Sequence, residues 1–169
     1  HLMRTGEEAE ARTALERAFG RDPFDPVTKN LLDLLDHLDA FETVAQPGFV
    51  FKFPPDEAAI LRELVPPLAA EAMASLSRRY GVRVEGPVLV ELFPRHDDFA
   101  VRTLGLPGML GALGACFGRV VTLDSPRARP PGAFHWGATL WHELAHVIAL
   151  QLSKQRVPRW FTEGLSVYE

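Results

Sequence analysis

Two amphipathic helices are predicted at the start of the chain. Residues 6–20 place apolar side chains at helical spacing and end in Gly20, a residue suited to a helix C-terminus. After the turn residues RDPFDP, residues 27–41 repeat this spacing with leucines on one stripe, namely Leu31, Leu34, Leu35 and Leu38. The two segments predict a helical hairpin within residues 4–45. It is either a satellite of the main domain or the last unit of a helical repeat array.

Three apolar runs further along the chain predict strands. They are FVFKF at 49–53, GPVLVELFP at 86–94 and RVVTLDSP at 119–126. The segment between the first two runs predicts a helix that ends near Tyr80, with Asp56 as its cap and a kink or break at Pro66-Pro67. Residues 95–118 predict a loop, and their glycine-rich part favours a mobile loop beside a cleft over a phosphate-binding cradle.

Two more helices are predicted at the end of the chain, after a proline-rich linker over 126–132. The first contains TLWHELAHVIALQL at 139–152, and the second begins after Pro158 in VPRWFTEGLSVYE. Because the strands are grouped centrally and helices lie at both ends, the predicted fold class is α+β.

Composition narrows the functional classes. The 169 residues are 47% hydrophobic, enough for one main domain with a core, and a formal net charge of −4 argues against a nucleic-acid-binding surface. Cys116 is the only cysteine, so a metal site would have to use histidines and carboxylates. No apolar run approaches the roughly 18 residues that a membrane-spanning helix needs. Residues 1–3 are interpreted as a tag remnant, and the composition leaves the compartment open.

The predicted helix that contains HELAH is apolar on every face except one. At about 100° per residue, His142 and His146 point to the same side, and Glu143 lies about a quarter-turn further round. Two imidazoles in this arrangement can bind one metal ion, whereas the alternative is a histidine pair bonded to local carboxylates. A catalytic zinc needs a third protein ligand, and the downstream carboxylates are Glu163 and Glu169. Glu163 could instead serve the free amides of a helix N-terminus.

HELAH followed after 16 residues by Glu163 resembles the gluzincin metallopeptidases. The approach VPRWFTEGL resembles the peptidase MA-like domains found beside tetratricopeptide repeats in bacterial proteins. The resemblance implies a zincin-like domain over residues 46–169, in which a small mixed sheet and a metal-binding helix follow the hairpin. It implies Zn²⁺ held by His142, His146 and Glu163, with Glu143 as the general base toward a zinc-activated water. The implied activity is peptide-bond hydrolysis, with an endopeptidase favoured over an exopeptidase and a peptide or protein as substrate.

The same resemblance assigns substrate binding to an edge strand at 119–124, a segment that the sequence alone would equally allow to be internal. It favours a bacterial cell envelope or periplasm as the compartment. A gluzincin cleft has a second, helical half, which is expected to be absent here because the chain ends at Glu169. Whether this fragment is active therefore stays open. Tyr168 is expected to pack against the protein, and Glu169 to point away from the metal.

The remaining candidates are interpreted as having no catalytic role. His135 and Trp136 are expected at a loop or rim, His37 and His96 on solvated faces, and Cys116 as a small buried or loop residue. The alternative function is a non-catalytic interaction module, either stabilised by zinc or built on helical repeats. In both readings the N-terminal helical region could bind a protein partner.

Overall fold

The computed structural model describes residues 1–108 and 111–169, and it confirms the α+β class. Within these ranges seven α-helices surround one five-stranded sheet. None of the described helices combines the length and hydrophobicity needed to cross a membrane. The helices are α1 (Leu2–Thr5), α2 (Glu8–Phe19), α3 (Pro26–Asp39), α4 (Ala58–Tyr80), α5 (His96–Leu104), α6 (Trp136–Leu152) and α7 (Arg159–Tyr168). The strands are β1 (Glu42–Gln46), β2 (Phe49–Phe53), β3 (Val88–Phe93), β4 (Gly114–Cys116) and β5 (Val120–Asp124).

The sheet is mixed, with the strand order β1-β2-β3-β5-β4. Strands β2, β3 and β5 are parallel neighbours, whereas β1 and β4 are antiparallel strands at the two edges. Val121 of β5 pairs with Val90 on one side and with Cys116 on the other. The expectation that 119–124 forms an edge strand is therefore wrong, because the short strand β4 lies outside β5 and forms the edge.

Helices cover both faces of the sheet and form two hydrophobic cores. The face that carries Phe51 and Phe53 packs against α4 and α6. The opposite face is covered by α3 and α5, where Leu35 and Phe99 share a cluster with Phe93 of β3. Met3 is also buried in this second cluster. The hairpin of α2 and α3 therefore shares a hydrophobic core with the sheet. The predicted domain boundary between residues 45 and 46 lies between the last two residues of β1.

Residues 95–118 were predicted to be a loop, but they contain α5 and β4. Asp97 and Asp98 lie in the first turn of α5, where carboxylates favour the free backbone amides. Gly105 ends the helix in the left-handed conformation at φ 80°. The sequence did not show the helical period of α5, because the charged residue Arg102 occupies a buried position where an apolar residue is expected. Of the predicted mobile loop, residues 109–110 lie outside the described ranges.

Helix α4 continues through Pro66 and Pro67, so of the predicted kink or break at this position the break is wrong. Pro66 is buried in the helix face toward the core. The predicted cap is also wrong, because the Asp56 side chain is exposed beside Arg127 rather than bonded to the helix. Glu57 precedes the helix instead, and its carboxylate accepts a hydrogen bond from Ser125 Oγ at 2.6 Å.

Candidate metal centre

The candidate site lies where α7 packs against α6. Helix α6 has buried apolar residues on its other faces, including Leu140, Leu144 and Ile148, so its position against the sheet is fixed by the core. The chain then reverses through Lys154 and Gln155, both with positive φ, and α7 begins after Pro158. This reversal brings the first turns of α7 back beside the HELAH segment.

His142, His146 and Glu163 meet at this position. The two Nε2 atoms of the histidines are 3.1 Å apart. Oε2 of Glu163 lies 3.6 Å from Nε2 of His142 and 3.5 Å from Nε2 of His146. The three sequence-predicted ligands thus present one donor atom each to a common point.

The spacing of these atoms suits a tetrahedral zinc ion. Ligand atoms about 2.0–2.1 Å from a tetrahedral zinc are separated from one another by about 3.3–3.4 Å. The measured separations run from 3.1 to 3.6 Å and bracket this value. Two imidazoles and one carboxylate also form a donor set that zinc prefers and that leaves one coordination position free. The residues therefore fit the metal that the sequence implied.

The electrostatics of the site favour metal-binding protonation states. Burial lowers the pKa of His146, with Glu163 acting in the opposite direction, so the neutral imidazole that binds metals is favoured. Burial of Glu163 pushes its pKa upward, but His146, Arg159 and His142 outweigh this effect and hold the pKa below its usual range. Nε of Arg159 donates to Oε1 of Glu163 at 3.2 Å, which leaves Oε2 directed at the histidines.

Glu143 is buried beside this cluster, with 5% of its surface exposed. Burial, together with the charge of Glu163, raises the pKa of Glu143 to about 8. Within the described residues its carboxylate accepts no hydrogen bond from the protein. With this pKa the group is ionised mainly above about pH 8, and in its ionised form it can take a proton from a neighbouring water.

Strand β4 borders the site, and sequence reasoning missed this neighbour. A Cβ built on Gly114 would lie 2.6 Å from Oε1 of Glu143 and 2.7 Å from its Cγ, so only glycine fits without moving the carboxylate. Next to β4, the carbonyl of Leu113 accepts a hydrogen bond from the amide of Asp124 at 2.9 Å, and the amide of Phe117 donates to the carbonyl of Val120 at 2.8 Å. Both partners belong to β5. Because strand backbone groups alternate in direction, the amides and carbonyls of Gly114 and Cys116 point away from β5, toward the open edge.

Two of the other sequence candidates have structural roles outside the cluster. His135 caps α6, since its Nδ1 accepts a hydrogen bond from the amide of Ala138 at 3.0 Å. His96 was expected on a solvated face, and this prediction is wrong. Its Nδ1 lies 2.9 Å from Oδ2 of the fully buried Asp124. His37 is exposed, as expected.

The end of α7 differs from expectation at one residue. Tyr168 was expected to pack against the protein, but 77% of its surface is exposed. Glu169 points away from the metal ligands, as expected, and pairs with Arg79 and Tyr80 of α4.

Burial raises the pKa of the Cys116 thiol to about 12, and the Gly118 amide donates to its sulfur at 3.4 Å, so the cysteine is no activated nucleophile.

A cavity of about 770 Å³ lies elsewhere, between α2 and the face of the sheet opposite α6. Its apolar floor includes Leu89 and Val120, and Lys52 at its rim pairs with Glu8. None of its lining residues belongs to the cluster of His142, His146 and Glu163. The candidate metal cluster at the contact of α6 with α7 is therefore separate from this cavity.

Comparison of the chain with known protein families, with curated proteins and with solved structures finds no match.

Proposed function

We propose that the protein is a zinc-dependent peptidase of the gluzincin type. The observation that carries the proposal is the common point approached by Nε2 of His142, Nε2 of His146 and Oε2 of Glu163, each within 3.6 Å of the other two. The sequence resemblance of HELAH and the downstream glutamate to gluzincins supports the same assignment. An endopeptidase is favoured over an exopeptidase.

His142, His146 and Glu163 would hold the zinc, which supplies Lewis-acid activation of water and of the peptide carbonyl when bound. Glu143 is then the general base. It accepts a proton from the attacking water and delivers it to the leaving amine. Its burial supports this role, because the ionised form of a carboxyl group with a pKa raised to about 8 is a stronger base than an exposed carboxylate, and the positive charge of a bound zinc ion would favour that ionised form.

Strand β4 is the proposed binding edge for the substrate. The outward amides and carbonyls of Gly114 and Cys116 can pair with an extended peptide by strand addition. Since Gly114 touches Glu143, a peptide on this edge would lie beside the general base. This proposal moves substrate binding from the segment 119–124, which is internal, to the neighbouring edge.

The test is hydrolysis of an unstructured protein such as casein by the zinc-supplemented chain, with Glu143→Gln as the matched variant. This change keeps the size of the side chain and removes the base, so we expect zinc to stay bound and the rate to fall by about 10²–10⁴-fold. Internal cleavage products would identify an endopeptidase. Full activity in Glu143→Gln would refute the mechanism. Zinc binding without hydrolysis by the unmodified chain would favour the non-catalytic zinc-stabilised module.

A further inference from the structure

Helix α7 carries large apolar side chains on its outer face. Trp160, Val167 and Tyr168 are 75%, 77% and 77% exposed, and Phe161 is 47% exposed. The inward face carries small polar residues, since Thr162 and Ser166 are 5% and 4% exposed. This reverses the usual arrangement of a surface helix, in which the apolar stripe faces the core. Trp160, Phe161, Val167 and Tyr168 are called the α7 stripe below.

The α7 stripe is symmetric about Gly164. Phe161 and Val167 lie three residues before and after this glycine, and Trp160 and Tyr168 lie four residues before and after it. At about 100° per residue, all five positions fall in a band about 120° wide, with Gly164 on its midline. A Cβ at Gly164 would meet nothing within 4 Å, so the midline is an open notch.

We propose that the α7 stripe is a homodimer interface in which the α7 helices of two copies cross antiparallel at Gly164. A two-fold axis needs a surface that is complementary to itself, and the symmetry about Gly164 provides one. In this arrangement Trp160 packs on Tyr168 of the partner subunit, and Phe161 packs on Val167 of the partner subunit. The absence of a side chain at Gly164 lets the two helices approach closely at the crossing point.

The exposed area suits a weak dimer. The four side chains of the α7 stripe leave roughly 500–600 Å² exposed per copy, so a dimer would bury at most about 1,000–1,200 Å² through them, at the lower limit of specific interfaces. At each end of the crossing Trp160 and Phe161 of one copy meet Tyr168 of the partner subunit, and large aromatic residues are among the side chains that contribute most to such interfaces. We therefore expect association that depends on protein concentration.

The dimer also has a consequence for the candidate metal centre. Glu163 immediately precedes Gly164 and lies beside the edge of the α7 stripe, so the crossing helix of the partner would pass close to this ligand. The second copy would then provide a wall next to the metal cluster. The dimer itself does not depend on the proposed peptidase function, because the stripe and its symmetry are independent of any chemistry at the site.

Sedimentation equilibrium at increasing protein concentration tests the proposal, with Trp160→Asp and Val167→Asp as disrupting variants. We expect the mass to rise toward twice the monomer mass, and each variant to weaken association by at least about thirtyfold. Phe24→Asp is the matched control, because Phe24 is 91% exposed in the turn before α3 and lies outside the stripe. A monomer at every concentration would overturn the proposal and leave the stripe to a different protein chain. Equal association of the stripe variants and the control would overturn it as well.

Disulfide cross-linking locates the axis. In a Cys116→Ser background, a Gly164→Cys substitution places a thiol where the helix meets its own copy, and close crossing allows the short Cα separation that a disulfide requires. We expect a covalent dimer on mild oxidation, and little from Phe24→Cys in the same background. Equal cross-linking of both variants would indicate random collision and contradict a two-fold axis at Gly164.

Discussion

Gly114 of β4 packs closely against the side chain of Glu143 of α6. This contact predicts the effect of adding one methyl group at position 114. Because a Cβ at position 114 would lie 2.6 Å from Oε1 of Glu143, Gly114→Ala forces the carboxylate to move. Rotation of a flexible side chain costs little folding free energy, but a displacement of about 1 Å can cost about 10²-fold in rate. We expect kcat to fall by about that factor while the fold and the zinc content are retained.

The readouts for Gly114→Ala are steady-state proteolysis, zinc content and thermal unfolding on the same preparations. Gly20→Ala is the control, since Gly20 lies in the hairpin and a Cβ there comes no closer than 3.4 Å to other atoms. An unchanged kcat in Gly114→Ala would contradict the account in which β4 fixes the position of Glu143, the proposed base. Loss of zinc in this variant would show that the strand supports the metal ligands rather than Glu143 alone.

The reactivity of the Cys116 thiol is expected to depend on pH and on folding. Desolvation raises the pKa of its half-buried thiol to about 12, so native protein at pH 8 should contain much less thiolate than unfolded protein. We expect alkylation by iodoacetamide to be correspondingly slow until the chain is unfolded in urea. Because the folded pKa is raised, this thiol contributes stability that is present below about pH 9 and lost as the pH rises toward 12. Equal alkylation rates in native and unfolded protein would contradict the burial.

At the scale of secondary-structure elements, β3 and α5 are joined by the buried pair of Glu91 and Arg102. Nε of Arg102 donates to Oε2 of Glu91 at 2.8 Å, and neither side chain is exposed. Arg102→Met leaves a buried carboxylate without its partner, which costs about 3–5 kcal/mol in unfolding free energy. Burial already raises the pKa of Glu91, so the loss should shrink in acid, where Glu91 binds a proton.

Urea unfolding of Arg102→Met at neutral and acidic pH measures this effect. Lys29→Met is the control, because the pair of Lys29 with Asp33 is exposed and is worth about 0.5 kcal/mol or less. The double change Glu91→Leu with Arg102→Met should recover most of the loss, since it removes both buried charges. A loss in Arg102→Met as small as that in Lys29→Met would show that the pair does not hold α5 on the sheet.

The elements with a clear hydrophobic period could be predicted from the sequence, and so could α4 apart from its uninterrupted passage through Pro66 and Pro67, whereas α1, α5, β1 and β4 were not predicted. Strands β2, β3 and β5 and the helices α2, α3, α6 and α7 all carry that period. Strand β4 is only three residues long, and its place beside β5 depends on a pairing that no local pattern reveals. Strand β1 is mostly exposed and polar, so its alternation was not recognised. Helix α5 was missed because a buried ion pair stands where an apolar residue is expected.

The candidate ligands followed from spacing along helices, but their surroundings did not. His142 and His146 are one turn apart, and the distance from Glu163 was short enough for a helix reversal to return it. The contact of Gly114 with Glu143 joins residues from different elements and needs the three-dimensional structure. The exposure of Tyr168 was missed for a similar reason, because its position five residues after Glu163 does not show whether another element covers that side of α7.

At the scale of the whole molecule, the core of the sheet fixes the position of α6, and a metal ion bound by the proposed ligands would join α6 to α7. The buried faces of α6 pack on the sheet core, whereas α7 contributes mainly small polar residues to its own contact. A bound ion would therefore provide much of the attachment of α7, and would favour the folded state in proportion to its affinity. This is the central claim: three donors from two helices bind one zinc ion.

The most direct measurement is zinc content of the purified, zinc-supplemented chain by elemental analysis, alongside His142→Ala, Glu163→Ala and Glu143→Gln. The account predicts about one zinc per chain, retained in Glu143→Gln and lost in both alanine variants, because a site with two protein ligands binds zinc far more weakly than one with three. Circular dichroism of each variant verifies that the chain is folded. A folded protein without zinc, or zinc retained in full by Glu163→Ala, would contradict the claim that α6 and α7 form one metal centre.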